Sequence, residues 1–321
     1  MKADHLSYFL GFDGGGSKTD CVLVDEHGVL LASAYGSASN PLRTGYAKTW
    51  FALSSTADAV LARQKIKSTD IAGICAGLGG AARTQVARRI ASFLERSFPN
   101  AAVQVTSDMD IALAAAVGEG RGIVLIAGTG SVAFGRTGEG VTARAGGFGP
   151  WIGDEGSGFE IGKLAAAAAS RDVDARSPQT MLSERIFKDL DCRDWNELFE
   201  RIAKSADDVF PRLFPTVAKV AHAGDPVACE ILQHAAASLS DLAYNVAKKL
   251  QLAGEEFPLA KVGGMHGRSK LLDAELDARL AAVLPRAIMV PLAISPALAA
   301  ARMASSAASG HSPVAKAADV I

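Results

Sequence analysis

The most constraining feature of this 321-residue sequence is an order of elements that runs through once and then starts again. Short apolar runs at Tyr8–Asp13, Asp20–Asp25 and Val29–Tyr35 read as three strands separated by glycine-rich or Asp-Glu-His-Gly turns. A helical stretch at Tyr46–Arg63 follows. Then come a strand at Ile71–Cys75, a helix over Ala81–Phe98, a strand at Val103–Ser107 and a helix over Ile111–Val117. Near Gly122 the pattern restarts with Gly122–Ala127, Val132–Arg136 and Gly140–Arg144. Helices dominate from Gly158 to about Leu252, broken at Ser177-Pro178 and at Gly224-Asp225-Pro226, which also reads as a helix start. Strands at Leu259–Val262 and Ala287–Val290 each precede a helix, the last covering Ser295 to about Ala308. The copies share almost no residues, so it is the pattern that repeats. It predicts an α/β fold of two similar lobes, divided near Glu119–Arg121, with ligands in the cleft between them. The lobes are expected over 1–119 and 120–308, the last helix being free to pack back on the first lobe. The small-residue tail 309–321 is expected to be disordered.

Composition narrows the function classes. Apolar residues make up 49% of the chain, enough for sizeable cores. The 33 Lys and Arg nearly balance the 34 Asp and Glu, giving a net charge of −1. That balance offers no footprint for nucleic acid and no basic membrane patch, and it suits a small, locally recognised ligand. Cys21, Cys75, Cys192 and Cys229 are far apart without CxxC spacing, which favours free thiols in a reducing compartment. Met1–Tyr8 is too short and polar for a signal peptide, and no apolar run approaches the roughly 18 residues of a membrane span. A cytoplasmic protein is expected.

The strongest local signal is Asp13-Gly14-Gly15-Gly16-Ser17-Lys18-Thr19, set between two strands. Consecutive glycines let the backbone turn tightly and present N–H groups to an anion, and Ser17 and Thr19 add hydroxyls. Asp13, ending the first strand, is placed to hold Mg²⁺ through water. A glycine-rich hairpin without a ligand fits the same residues. A Walker loop does not, because Ser17 separates Gly16 from Lys18 and the next element reads as a strand rather than a helix. Gly128-Thr129-Gly130-Ser131 occupies the same point of the second copy, so the two hairpins can clamp one polyphosphate from both sides. Gly263-Gly264 follows a late strand, where bare backbone can receive an adenine ring or simply turn into the next helix.

Asp108, at the end of the strand Val103–Ser107, suits the carboxylate that phosphoryl transfer to a hydroxyl requires, with Asp110 as the nearby alternative. Either also fits a helix N-cap. In Gly146–Gly158, Gly147, Phe148 and Gly149 can line a sugar and Asp154 can bind its hydroxyls, with capping the other reading for Asp154 and Ser157. The Asn40 amide can reach a sugar hydroxyl or close a turn before Pro41. The six histidines form no pair at metal spacing.

Taken together, Asp13–Thr19, Asp108, Gly128–Ser131 and Gly153–Gly158 resemble the N-acetylglucosamine kinase and bacterial glucosamine kinase group of the BadF/BadG/BcrA/BcrD ATPase family. The resemblance runs from about Phe9 to Ala301 and implies two actin-like (ribonuclease H-like) lobes with an interlobe active-site cleft. It implies ATP-dependent phosphorylation of an amino-sugar 6-hydroxyl with ATP and Mg²⁺, N-acetyl-D-glucosamine first and glucosamine as the alternative. Asp108 then resembles the catalytic base, and Asn40, Ser131, Gly147, Phe148, Gly149 and Asp154 the amino-sugar contacts. Thr129 and Asp13–Thr19 resemble phosphate contacts, Gly263-Gly264 the adenosine contact, and a homodimer is implied. Phe148-Gly149-Pro150 departs from the Trp-Gly-His of the animal enzymes, at the contacts to the sugar 2-substituent. Reductase-activating ATPases of the same family bridge an iron–sulfur cluster through cysteines in glycine-rich contexts, which Cys192 and Cys229 lack. A sugar sensor would lack the intact phosphate loops and carry a DNA-binding segment.

Overall fold

The computed structural model describes residues 7–308. The chain divides into two compact units, one built from residues 7–120 and 291–308, the other from 121–290.

In the first unit, β1 (Tyr8–Gly14), β2 (Thr19–Val24) and β3 (Leu30–Gly36) form an antiparallel meander. The single turn α1 (Pro41–Thr44) and α2 (Tyr46–Gln64) follow, then β4 (Ile71–Leu78), α3 (Thr84–Ser97), β5 (Ala102–Ser107) and α4 (Asp108–Val117). β4 pairs parallel with β1 and β5 parallel with β4, giving the order β3-β2-β1-β4-β5. Strand alternation divides the core across the sheet. Leu10, Phe12 and Ile74 face Leu53, Val60 and Ile90 of α2 and α3, while Phe9, Val22 and Cys75 face the opposite side with Ile111 of α4.

The second unit repeats the plan with β6 (Gly122–Ala127), β7 (Ser131–Arg136) and β8 (Thr142–Gly146) antiparallel. Helices α5 (Gly158–Val173), α6 (Leu182–Leu190), α7 (Trp195–Val209), α8 (Phe214–His222) and α9 (Pro226–Lys249) are inserted before β9 (Phe257–Val262). After α10 (Lys270–Val283) comes β10 (Ala287–Met289), parallel to β9. The order β10-β9-β6-β7-β8 mirrors the first sheet strand for strand. Each unit therefore has the similar α/β lobe that the repeated pattern predicts, in the actin-like, ribonuclease H-like arrangement that the resemblance implies. The chain then returns to the first unit as α11 (Pro296–Ala308). No helix among the described residues is long and apolar enough to cross a membrane. The tail expected to be disordered, 309–321, lies outside the described residues.

Among the boundaries that move from their expected positions, three do so for a clear local reason. The last strand of the second meander starts at Thr142 rather than Gly140, because Gly140 (φ +85° in its own turn) donates to Thr137 and Thr137 pairs with Val141. The helix expected from Ala81 starts at Thr84, after a turn in which Ala81 donates to Leu78 and Arg83 to Gly80. The helix expected from Ile111 starts at Asp108, because Ser107 and Asp110 form a capping box.

α11 approaches its sheet unusually closely. Its buried face is Ala297, Ala300, Ala301 and Ala304, and it lies on Gly11 of β1. A Cβ on Gly11 would sit 2.1 Å from the Ala297 carbonyl oxygen and 2.3 Å from the Ala301 nitrogen, both rigid backbone. Gly11→Ala is therefore expected to destabilise by about 1–3 kcal/mol through overpacking. Gly15→Ala, with nothing within 4 Å, should stay within about 0.5 kcal/mol of the parent. Chemical denaturation of both variants measures the difference.

Candidate active site

In the first unit the Asp13–Thr19 hairpin joins β1 to β2 and rests on the segment that opens α1. Gly15 N–H donates to the Lys18 carbonyl at 3.0 Å, and the Gly15 carbonyl accepts from both Ser39 and Asn40 N–H at 3.1 Å. Gly14 has no room for a side chain, since a Cβ there would meet Ser39 Oγ at 2.1 Å. Thr19 is fully buried, and its hydroxyl interacts with the Ser37 carbonyl at 2.5 Å and Ser39 Oγ at 2.7 Å. Its hydroxyl thus anchors the hairpin, while Gly16, Ser17 and Lys18 are exposed. The Lys18 ammonium lies 2.9 Å from the Asp20 carboxylate and 5.5 Å from the Tyr35 ring centre.

At the end of β5, the geometry separates the roles of Asp108 and Asp110. Asp110 Oδ2 accepts from Thr106 Oγ1 (2.5 Å), Ser107 Oγ (2.6 Å) and Ser107 N–H (3.1 Å), so this carboxylate closes the helix cap. The N-cap is Ser107 rather than either aspartate. Asp108 Oδ1 accepts from Met109 N–H at 3.1 Å. Its Oδ2 lies 3.4 Å from where a Cβ on Gly79 would stand, and the Asn40 amide nitrogen is 2.9 Å from that point. Bare backbone at Gly79 thus lets the Asn40 amide and the Asp108 carboxylate come together. Asn40 also caps α1, its Oδ1 accepting from Leu42 N–H at 3.1 Å, so its amide oxygen serves the turn.

Both half-buried carboxylates hold their protons strongly. Burial, then the negative charges of Asp108 and Asp20, push Asp13 up to about 7 against some relief from Lys18. Burial pushes Asp108 up to about 6, with Asp110 adding to the shift and the Met109 N–H opposing it.

In the second unit Gly128 N–H donates to the Gly130 carbonyl at 2.9 Å, making a tight turn between β6 and β7. The first amide of α5, at Gly158, donates to the Gly128 carbonyl at 2.8 Å. Ser131 is buried and its hydroxyl donates to the Glu155 carbonyl at 2.6 Å, while its own carbonyl accepts from Gly147 N–H at 3.0 Å. Asp154 is buried at φ +58°, its Oδ1 accepts from Gly149 N–H at 3.3 Å, and its Oδ2 lies 2.6 Å from the Cβ position of Gly130. Gly130, Ser131, Gly147, Gly149 and Asp154 are thereby gathered at one end of the sheet. Phe148 is 59% exposed, with the Arg144 guanidinium 4.9 Å from its ring centre. The capping reading falls on Ser157, which accepts from Glu160 N–H. Gly263, at φ +112°, presses on Ala127, whose carbonyl oxygen would be 2.2 Å from a Cβ there. Gly264 N–H lies beside Gly128, 3.8 Å from its Cβ position.

Glycine-floored groups of polar atoms thus stand at strand ends, one group in each unit. Residues 10–293 match the BadF/BadG/BcrA/BcrD ATPase family, and the chain belongs to it. An N-acetyl-D-glucosamine kinase of Dictyostelium discoideum is 30% identical, covering 92% of this chain and 97% of that protein. An N-acetylmuramic acid/N-acetylglucosamine kinase of Clostridium acetobutylicum is 30% identical over 81% of this chain and 86% of its own. The crystal structure of a candidate N-acetylglucosamine kinase from Chromobacterium violaceum superposes with a TM-score of 0.75 at 28% identity, covering 93% of this chain and 99% of that one.

One site element escaped the sequence reading. Gly79-Gly80 follows β4 just as Gly263-Gly264 follows β9, the matching strand of the other sheet, and that correspondence was the available signal.

The raised carboxylates set a stability prediction. A carboxylate whose folded pKa exceeds its usual 3.8 stabilises the fold fully below about pH 4, and that contribution is lost as pH rises through 6 to 7. Asparagine does not titrate. Asp13→Asn and Asp108→Asn are therefore expected to be more stable than the ligand-free parent at pH 8, each on the order of 1–2 kcal/mol after allowing for solvent screening. The advantage should vanish near pH 4, as followed by thermal melts across the range.

Proposed function

We propose that this protein transfers the γ-phosphoryl group of ATP to the 6-hydroxyl of an amino sugar, with N-acetyl-D-glucosamine as the preferred acceptor. The observation that carries this reading is the state of Asp108. It is half-buried at a strand end beside the Asn40 amide, while the neighbouring Asp110 is consumed by the helix cap. Family membership supports ATP as the donor, and the similarity to kinases of N-acetylated amino sugars supports the acceptor class.

In this reading Asp108 accepts the proton of the 6-hydroxyl and Asn40 orients the sugar from its amide side. Gly147, Gly149 and Asp154 bind hydroxyls, and Phe148 offers an apolar face. Ser131 acts by holding Glu155 and Gly147 in place, so its hydroxyl positions the sugar loop. The exposed Gly16–Lys18 segment of the Asp13–Thr19 loop and Thr129 face phosphate oxygens, and Gly263-Gly264 faces the nucleoside. Asp13 suits a divalent cation, because its carboxylate is crowded by Asp108 and Asp20 and its negative charge is unfavourable without a counter-ion. No cluster of three metal-binding side chains occurs among the described residues, which suits Mg²⁺ retaining water and phosphate oxygens as its other ligands. When bound, Mg²⁺ supplies neutralisation of phosphate charge. The same reading makes the protein cytoplasmic and homodimeric, as the resemblance to this kinase group implies.

ADP release coupled to a dye or NADH readout, with MgATP and a panel of N-acetylglucosamine, glucosamine, N-acetylmannosamine, N-acetylmuramic acid and glucose, tests the proposal. N-acetylglucosamine should give the largest kcat/KM, and absence of stimulation by every sugar would overturn it. Asp108→Asn should lower kcat by about 10²–10⁴-fold, the range for loss of a general base. Asp110→Asn should retain kcat within a few-fold and lose about 1 kcal/mol of stability with its cap. Below pH 6, kcat/KM should fall as Asp108 takes up its proton.

A further inference from the structure

The phosphate hairpin is short of positive charge where it needs it. Asp13, Asp20 and Asp108 crowd its base, and Lys18, the cation inside the motif, is engaged by Asp20 at 2.9 Å. A second cation reaches the hairpin from α1. The Arg43 guanidinium lies along Gly16, with Nη1 2.9 Å, Cδ 3.3 Å and Cζ 3.5 Å from the Cβ position of that glycine. The turn that carries Arg43 is fixed at both ends. Asn40 and Ser39 N–H hold the Gly15 carbonyl, and Arg43 N–H closes the turn on the Asn40 carbonyl at 3.0 Å. One turn of helix thus carries Asn40 beside Asp108 at its start and Arg43 over Gly16 at its end.

We propose that Arg43 binds the γ-phosphoryl group of the nucleotide and stabilises the charge that spreads over its equatorial oxygens during transfer. The inference rests on the kinase reading above. In the step concerned, the sugar 6-oxygen forms a bond to the γ-phosphorus and the bond to the β–γ bridging oxygen breaks. The bridging oxygen keeps the electron pair and leaves with ADP, and the hydroxyl proton passes to Asp108. Arg43 makes and breaks no covalent bond. A planar guanidinium offers two parallel N–H donors to a phosphoryl group, a geometry that an ammonium cannot reproduce.

Gly16 supplies an independent handle on the same contact. No positive φ marks Gly16, so alanine suits its backbone, yet the new methyl would stand where Arg43 Nη1 now packs. Gly16→Ala therefore displaces the guanidinium without deleting it.

Steady-state kinetics and calorimetry on the full chain test the idea. Arg43→Ala should lower kcat about 10²–10³-fold, somewhat below the range for deleting a transition-state arginine, with KM for the sugar changed less than threefold. Arg43→Lys should recover no more than about tenfold of the lost kcat. Gly16→Ala should lose less than Arg43→Ala, and Gly16→Ala combined with Arg43→Ala should be no slower than Arg43→Ala alone. Retention of kcat within threefold in Arg43→Ala, or losses that multiply in the double variant, would overturn the proposal. Nucleotide binding separates this outcome from failure of the kinase reading. With no sugar present, Arg43→Ala should weaken binding of a non-hydrolysable MgATP analogue at least tenfold and MgADP less than threefold. Equal weakening of both would sink the role even in an active kinase. The selective loss would sustain γ-phosphoryl binding even where no amino sugar is turned over.

Discussion

Each candidate ligand-facing loop in this protein hangs from a strand end at which a glycine leaves room for a neighbouring side chain or carbonyl that a Cβ would displace. Gly14 sits against Ser39, Gly79 leaves room for Asn40 and Asp108, Gly130 faces Asp154, and Gly263 presses on Ala127. The same constraint operates inside the first unit, where Gly11 admits the alanine face of α11. These are steric conditions, not preferences. Close packing in a protein interior leaves no slack to absorb an added methyl against rigid backbone. The polar atoms at the strand ends owe their mutual distances to glycine, and the sheets act as the frame that keeps those distances fixed.

That frame forces carboxylates into surroundings that penalise their charge. Asp13 lies near the end of β1 and Asp108 opens α4 in the same unit; burial raises the proton affinity of each, and the charge of Asp108 raises that of Asp13 further. A protein selected for stability alone would replace them with amides. Their retention as acids makes sense when the missing counter-charge arrives with the ligand, as a cation at Asp13 and a proton to be taken up at Asp108. Asp110 shows the contrast within three residues. Its carboxylate receives three hydrogen bonds from Thr106 and Ser107 and serves the helix.

The fold was largely legible because strand alternation and glycine turns are local signals, and because the order of elements occurs twice. The boundaries that slipped did so where a turn or cap overrode the apolar pattern, at Gly140, at Gly80 and at Ser107. The glycine-rich site loops were visible for the same local reason. Side-chain commitments were not. Nothing in the spacing of Lys18 and Asp20 reveals that they pair across the face of β2, or that Ser131 turns inward to Glu155. Arg43 was invisible because its link to Gly16 spans 27 positions and depends on how α1 docks on the hairpin. Long-range placement of flexible charged side chains is the information that a single sequence carries least.

The single turn α1 explains how these commitments are coordinated. A helix of four residues has little stability of its own, since nucleation fixes several dihedrals for one hydrogen bond. Here Asn40 caps it, Pro41 presets its first dihedral, and the Gly15 carbonyl ties its start to the hairpin. The turn is thus held by the same hairpin whose phosphate-facing backbone it supports. Under the proposed function, a shift of that hairpin when nucleotide binds would reach Asn40, and through Asn40 the surroundings of Asp108. The shared anchor is the physical link that the proposed function would use between its nucleotide-facing hairpin and its sugar-facing aspartate.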